Sequence, residues 1–165
     1  MSHFKKLPQH IAIAMDGNGR WAQLKGMPRM KGHQKGSNVV RMLCELCLKW
    51  NIPYLTLWAF STENWRRPQD EVSFLMALLK RVLKRELPSL IENNIRLRVI
   101  GNRHRLSPTL ISLIDEAIFM TKENDGLHLT IALDYGGRDD ITQALRTLGD
   151  KIKHQQLSPE DITED

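Results

Sequence analysis

The residues best placed to do chemistry come early. Asp16-Gly17-Asn18-Gly19-Arg20-Trp21 sets a carboxylate, two glycines and a guanidinium within six positions. Glycines let backbone N–H groups approach an anion closely, and the arginine fork suits phosphate oxygens. Asp16 is the odd member, because a bare carboxylate repels a diphosphate. A divalent cation bridging the two removes that conflict, and magnesium is the natural choice, since it takes one or two carboxylates plus substrate phosphates. The alternative is an ordinary tight turn with Asp16 solvated. Two further polar stretches share this character: Ser61-Thr62-Glu63-Asn64-Trp65-Arg66-Arg67-Pro68, dense in side-chain donors, and Asp134-Tyr135-Gly136-Gly137-Arg138.

Each of these stretches follows an apolar run of strand length. Residues 11–15, 54–60 and 127–133 read as strands, and the alternating run 95–100 as another. Between them lie helical patterns at about 35–50, at about 70–92 with a kink or break at Pro88, from Ser107-Pro108 onward, and from about 134 to 153. Ala22 to Lys31, rich in Gly, Pro and basic residues, reads as a loop. The tail from Leu157 to Asp165 reads as polar and without an element. Alternation of strand and helix implies an α/β fold, a mainly parallel central sheet flanked by helices in a single domain over 1–165. The three polar stretches then converge on the sheet edge where such folds bind ligands.

Composition narrows the field. The 165 residues are 41% hydrophobic and 26% charged, with a net charge of +5. That balance favours an anionic partner without choosing among phosphate ligands, nucleic acid and membrane. No apolar run approaches the roughly 18 residues a membrane span needs, and Met1 to Pro8 lacks a signal core, so the cytoplasm is the expected location. Cys44 and Cys47 lie in phase with a helix's apolar face, which reads as core packing rather than redox or metal chemistry. Gly17-x-Gly19-x-x-Ala22 matches a dinucleotide fingerprint formally. That fingerprint requires a helix at once, whereas Gly26, Pro28 and Gly32 follow, and it requires an acid where Ser61-Thr62 stand. A basic nucleic-acid-binding domain, stacking bases on Trp58 or Trp65, is the non-enzyme alternative. Lys80, Arg81, Lys84 and Arg85 read more simply as a solvated helix face.

Taken together, His10-x-Ala12-x-x-Met15-Asp16-Gly17-Asn18-Gly19-Arg20-Trp21-Ala22, Arg29-x-x-Gly32-His33, Phe60-Ser61-Thr62-Glu63-Asn64-Trp65-x-Arg67-Pro68 and Asp134-Tyr135-Gly136-Gly137-Arg138 resemble the cis-prenyltransferase family over residues 8–150. The family pattern has Asn where this chain has Asp134. The resemblance implies repeated condensation of isopentenyl diphosphate onto farnesyl diphosphate, giving a long-chain polyprenyl diphosphate of the undecaprenyl type used as a cell-wall lipid carrier. It implies Asp16 as magnesium ligand and catalytic residue, and Gly17, Asn18, Gly19, Arg20, Arg29 and His33 around the primer diphosphate. Ser61, Thr62, Glu63, Trp65 and Arg67 would position the reacting centre, with Trp21 packed nearby and Asn64 as a catalytic group. An amide is a poor base, so Asn64 reads as positioning, with diphosphate as a plausible proton acceptor.

The resemblance further implies a membrane-associated product, peripheral contact with the inner membrane, a homodimer for the longer chain and no nucleic-acid partner. The helix at 70–92 is the candidate wall of an apolar tunnel, and Leu127 the candidate floor. Family members continue beyond residue 165 with an Arg-rich, Ser-containing motif for isopentenyl diphosphate and a second metal-binding Glu. The expectation is a chain that binds primer and elongates it barely or not at all.

Overall fold

The computed structural model describes residues 6–163. Residues 1–5, part of the segment read as signal-free, and the final two residues of the tail lie outside the described residues. Four strands form one sheet: β1 (His10–Ala14), β2 (Tyr54–Ser61), β3 (Ile95–Ile100) and β4 (Leu127–Tyr135). Every pairing is parallel and the spatial order is β1-β2-β4-β3. Five helices alternate with them: α1 (Asn18–Leu24), α2 (Arg29–Lys49), α3 (Gln69–Glu92), α4 (Pro108–Met120) and α5 (Gly137–Lys153). The expected α/β architecture and all four expected strands are present.

Strand alternation decides which side the helices take. Leu55, Leu57, Leu97, Leu127 and Leu129 point to one face and are nearly inaccessible. Cys44 and Cys47 of α2, Leu90 of α3 and Ala117 of α4 pack among them. Both cysteines are free thiols in this core, and burial pushes the Cys44 thiol up to about 12. A second cluster joins Phe60 and Leu133 to Val72 of α3 and Leu110 and Ile114 of α4. Each fully buried leucine contributes roughly 1.5–3 kcal/mol, so this face carries the fold. Helix α5 buries none of its residues, and Ile141 and Leu145 stay largely exposed.

Three expectations need correction. Residues 22–31 are not one loop: α1 begins right after Gly17 and α2 begins at Arg29. Gly26 does turn the chain between the two helices, at φ 67°, whereas Gly32 permits a close helix crossing. A Cβ at Gly32 would lie 1.9 Å from the Asn18 carbonyl oxygen. Because a helix does start at once, that ground against the dinucleotide fingerprint fails, and the Ser61-Thr62 end of β2 remains as the ground. Of the kink or break expected at Pro88, the break does not occur: Pro88 lies inside α3, which runs on to Glu92. The stretch after β2 is a 3₁₀ turn (Thr62–Arg66), and a second 3₁₀ turn (Pro159–Asp161) stands in the tail expected to lack elements.

Candidate active site

The carboxyl end of β1 delivers Asp16 to the sheet edge. Gly17 then adopts φ 84°, a left-handed turn that favours glycine, and α1 starts. The Gly17 N–H donates to one Asp16 carboxylate oxygen at 2.6 Å, and Arg20 donates to the other at 3.0 Å. Both side chains are more than two-thirds exposed, so this ion pair is weak and readily exchanged for another anion or cation. The Asn18 amide donates to the Met15 carbonyl at 3.2 Å and holds the turn.

Beneath this turn sits a residue that the sequence reading did not single out. Glu71, in the first turn of α3, is only 7% exposed. It accepts Arg29 at 3.0 and 3.2 Å, His33 at 3.0 Å and Arg67 at 3.0 Å. Burial alone pushes its carboxyl up. The hydrogen bonds from Arg29 and His33 and the charges of Arg29 and Arg67 outweigh that and hold it below the ordinary range. One carboxylate thus gathers three cationic or donor side chains from two other segments. Two guanidiniums against one carboxylate leave the mouth positive. The Arg29 guanidinium also backs Gly19, where a Cβ would lie 2.8 Å from its central carbon.

From this mouth a cavity of about 260 Å³ runs between α2, α3 and the sheet. Val40, Leu79, Leu83 and Ile131 are among its apolar walls, and it reaches Leu90 of α3 and, toward the far ends of β3 and β4, Ile95 and Leu129. Leu127, expected at the floor, is fully buried in the core and does not line it. Glu86 lines the cavity as a buried carboxylate held by Arg41 at 2.8 Å and Arg85 at 2.6 Å. Burial raises its carboxyl, and those two arginines outweigh burial and hold it low.

The sequence-expected residues divide in space. Asp16, Gly17, Asn18, Gly19, Arg20, Arg29, His33, Asn64 and Arg67 line the cavity. Trp21, Ser61, Thr62, Glu63 and Trp65 do not. On short α1 the buried residues Gly19 and Ala22 face α2, which turns Trp21 outward, 40% exposed beneath the Lys25 ammonium. Ser61 and Asn64 cap one another: the Ser61 N–H donates to the Asn64 side-chain oxygen at 3.2 Å. Thr62 packs beside Gly136. Glu63 is exposed, its carboxyl lowered by its own backbone N–H and by the Ser61 hydroxyl. Trp65 faces away from the cavity and donates its indole N–H to buried Asp134 at 2.8 Å. Among the described residues no cluster of three or more His, Cys, Asp or Glu could hold a metal alone. Asp16 still fits a magnesium ion that takes its remaining ligands from phosphate and water, because its carboxylate is open to solvent at the mouth.

Fold and site define a class: an α/β protein offering positive charge and backbone donors at the mouth of an apolar cavity, a form matched to an amphiphilic anion. Residues 14–165 match the model of a prenyltransferase family described as "Putative undecaprenyl diphosphate synthase", and the chain belongs to that family. An isoprenyl transferase of Shouchella clausii is 47% identical over 161 residues, covering 98% of this chain and 63% of its own length. The ditrans,polycis-undecaprenyl-diphosphate synthase ((2E,6E)-farnesyl-diphosphate specific) of Vibrio vulnificus is 50% identical over 161 residues, covering 98% and 64%. The crystal structure of lavandulyl diphosphate synthase from Lavandula x intermedia with dimethylallyl diphosphate superposes with a TM-score of 0.91 at 35% identity, covering 95% of this chain and 67% of that one. The chain therefore spans less than two thirds of the length of these curated relatives. No helix among the described residues is long and apolar enough to cross a membrane.

Proposed function

We propose that this chain carries the allylic-diphosphate half of a cis-prenyltransferase site. The reaction joins isopentenyl diphosphate to a farnesyl diphosphate primer and builds a long-chain polyprenyl diphosphate. The observation that carries this reading is the continuity between the positive mouth at Asp16–Arg20, Arg29, His33 and Arg67 and the apolar cavity behind it. A diphosphate fits the first and a hydrocarbon tail the second. The name of the Vibrio relative, which specifies farnesyl diphosphate, supports the choice of primer.

The backbone donors at Gly17–Arg20 would bind the diphosphate, and Arg20 would exchange Asp16 for phosphate. Magnesium held by Asp16 would supply charge stabilisation as diphosphate departs. Arg29 and His33, fixed by Glu71, orient the anion rather than follow it. Asn64 presents an amide whose oxygen is occupied by the Ser61 N–H, so its free donors suit positioning and not proton abstraction. The walls of α2 and α3 exclude water from the reacting centre. On family grounds the product would associate with membrane and the longer protein would pair as a homodimer.

The second diphosphate needs compensating charge of its own, and one carboxylate with one magnesium leaves too little. The test is calorimetric titration with farnesyl diphosphate and magnesium, alongside incorporation of radiolabelled isopentenyl diphosphate. Binding with minimal incorporation is expected. Long products made at the rate of a chain extended to the relatives' length would refute this division of the site. No farnesyl diphosphate binding would refute the function.

A further inference from the structure

The carboxyl end of β4 holds a charged cluster set back from the cavity. Asp134 is fully buried and has φ 52°, a backbone conformation uncommon for a side chain other than glycine. Its carboxylate accepts Arg105 twice, at 3.0 and 2.5 Å, and the Trp65 indole N–H at 2.8 Å. The Arg105 guanidinium lies 5.1 Å from the centre of the Trp65 ring, and Phe60 meets the ring edge-on at 5.2 Å. Trp65 is thus gripped on its N–H, on one face and at its edge. A buried carboxylate in a left-handed conformation persists only where its surroundings require it.

What Trp65 carries gives the cluster its meaning. It belongs to the 3₁₀ turn Thr62–Arg66, one residue from Asn64 and two from Arg67, and both of those line the cavity. A short 3₁₀ turn has few bonds of its own to fix it. Besides the reciprocal Ser61–Asn64 cap and the Arg67–Glu71 pair, Trp65 to Asp134 is the side-chain hydrogen bond tying this turn to the sheet. We infer that Asp134 is a positioning residue for the site: through Trp65, and with Arg105 as its counter-ion, it fixes the 62–67 segment so that Asn64 and Arg67 face the cavity. Its link to ligand binding rests on the function proposed above, whereas its hold on the segment does not.

The test separates the two. Hydrogen exchange of residues 62–67 is followed in Trp65→Phe, which removes the N–H and keeps the ring, in Asp134→Asn, which keeps an acceptor oxygen, and in Asp134→Leu. If Asp134→Leu does not fold, Trp65→Phe alone decides. Exchange of 62–67 should speed about tenfold or more in Trp65→Phe and Asp134→Leu, with β4 protection unchanged, and stay within about threefold of the parent in Asp134→Asn. Affinity for farnesyl diphosphate with magnesium should fall in the same order. Unchanged exchange in Trp65→Phe overturns the inference. So does faster exchange with undiminished affinity. Faster exchange in the variants, with a parent that itself never binds farnesyl diphosphate, leaves the positioning intact and removes the function instead.

Discussion

Replacing Glu71 with Gln tests whether one carboxylate organises the mouth. Gln keeps the shape but offers one acceptor oxygen and two new donors to a site already filled with donors. Glu71 receives four hydrogen bonds, from Arg29, His33 and Arg67. Arg29 and Arg67 are partly exposed and can turn to water, so the loss is well short of the sum of four charge-assisted bonds. A net destabilisation of about 1–3 kcal/mol is expected, the cost of a buried polar group left badly paired. For a chain of this size that lowers the melting temperature by about 3–10 °C. The pH dependence has a fixed sign. The folded-state carboxyl lies below its ordinary value of 4.5, so its stabilisation is complete above that value and is lost as pH falls through the lower folded value. Urea unfolding of parent and variant from pH 7 to pH 3 should show a gap that is full at pH 7 and narrows only below about 4.5. Equal midpoints at pH 7, or a gap unchanged at pH 3, would refute the role given to Glu71.

Three other substitutions or modifications probe neighbouring claims. Asp16→Ala should leave the melting temperature within about 2 °C, since its one ion pair is exposed, while abolishing any turnover and the magnesium dependence of farnesyl diphosphate binding. Gly32→Ala should cost about 2 kcal/mol or more, read by urea unfolding, because its Cβ would meet the Asn18 carbonyl at 1.9 Å and force α1 from α2. Cys44, buried with a thiol pushed up to about 12, should resist alkylation at pH 8 in the folded protein and react once unfolded, as mass spectrometry would show.

The strands were legible because short apolar runs ending in polar residues leave little choice once helical patterns separate them. Helix α1 was not, because Gly32, which marks a loop in isolation, here serves a close crossing of α2 with α1, a relation between two segments. Glu71 looked like any acidic residue in a helix's first turn, beside exposed Asp70. Arg67 is its i,i+4 neighbour, but its burial also needs Arg29 and His33, 42 and 38 residues earlier, which no local pattern announces. Asp134 stood in a recognisable stretch, but its partner Arg105 lies 29 residues earlier in the chain. The sequence places Trp65 at the reacting centre and Trp21 nearby, but the pattern does not say which way either ring turns: Trp65 donates to Asp134 on the sheet and Trp21 is 40% exposed on α1.

The account stands most directly on where the two ends of a primer lie. A crystal structure of this chain with magnesium and a non-hydrolysable farnesyl thiodiphosphate would show both. The account predicts the diphosphate against the Gly17–Arg20 backbone, with Asp16 on the metal and the tail between Val40 of α2 and Leu83 of α3. A diphosphate bound elsewhere, or a tail lying outside the cavity, would contradict it.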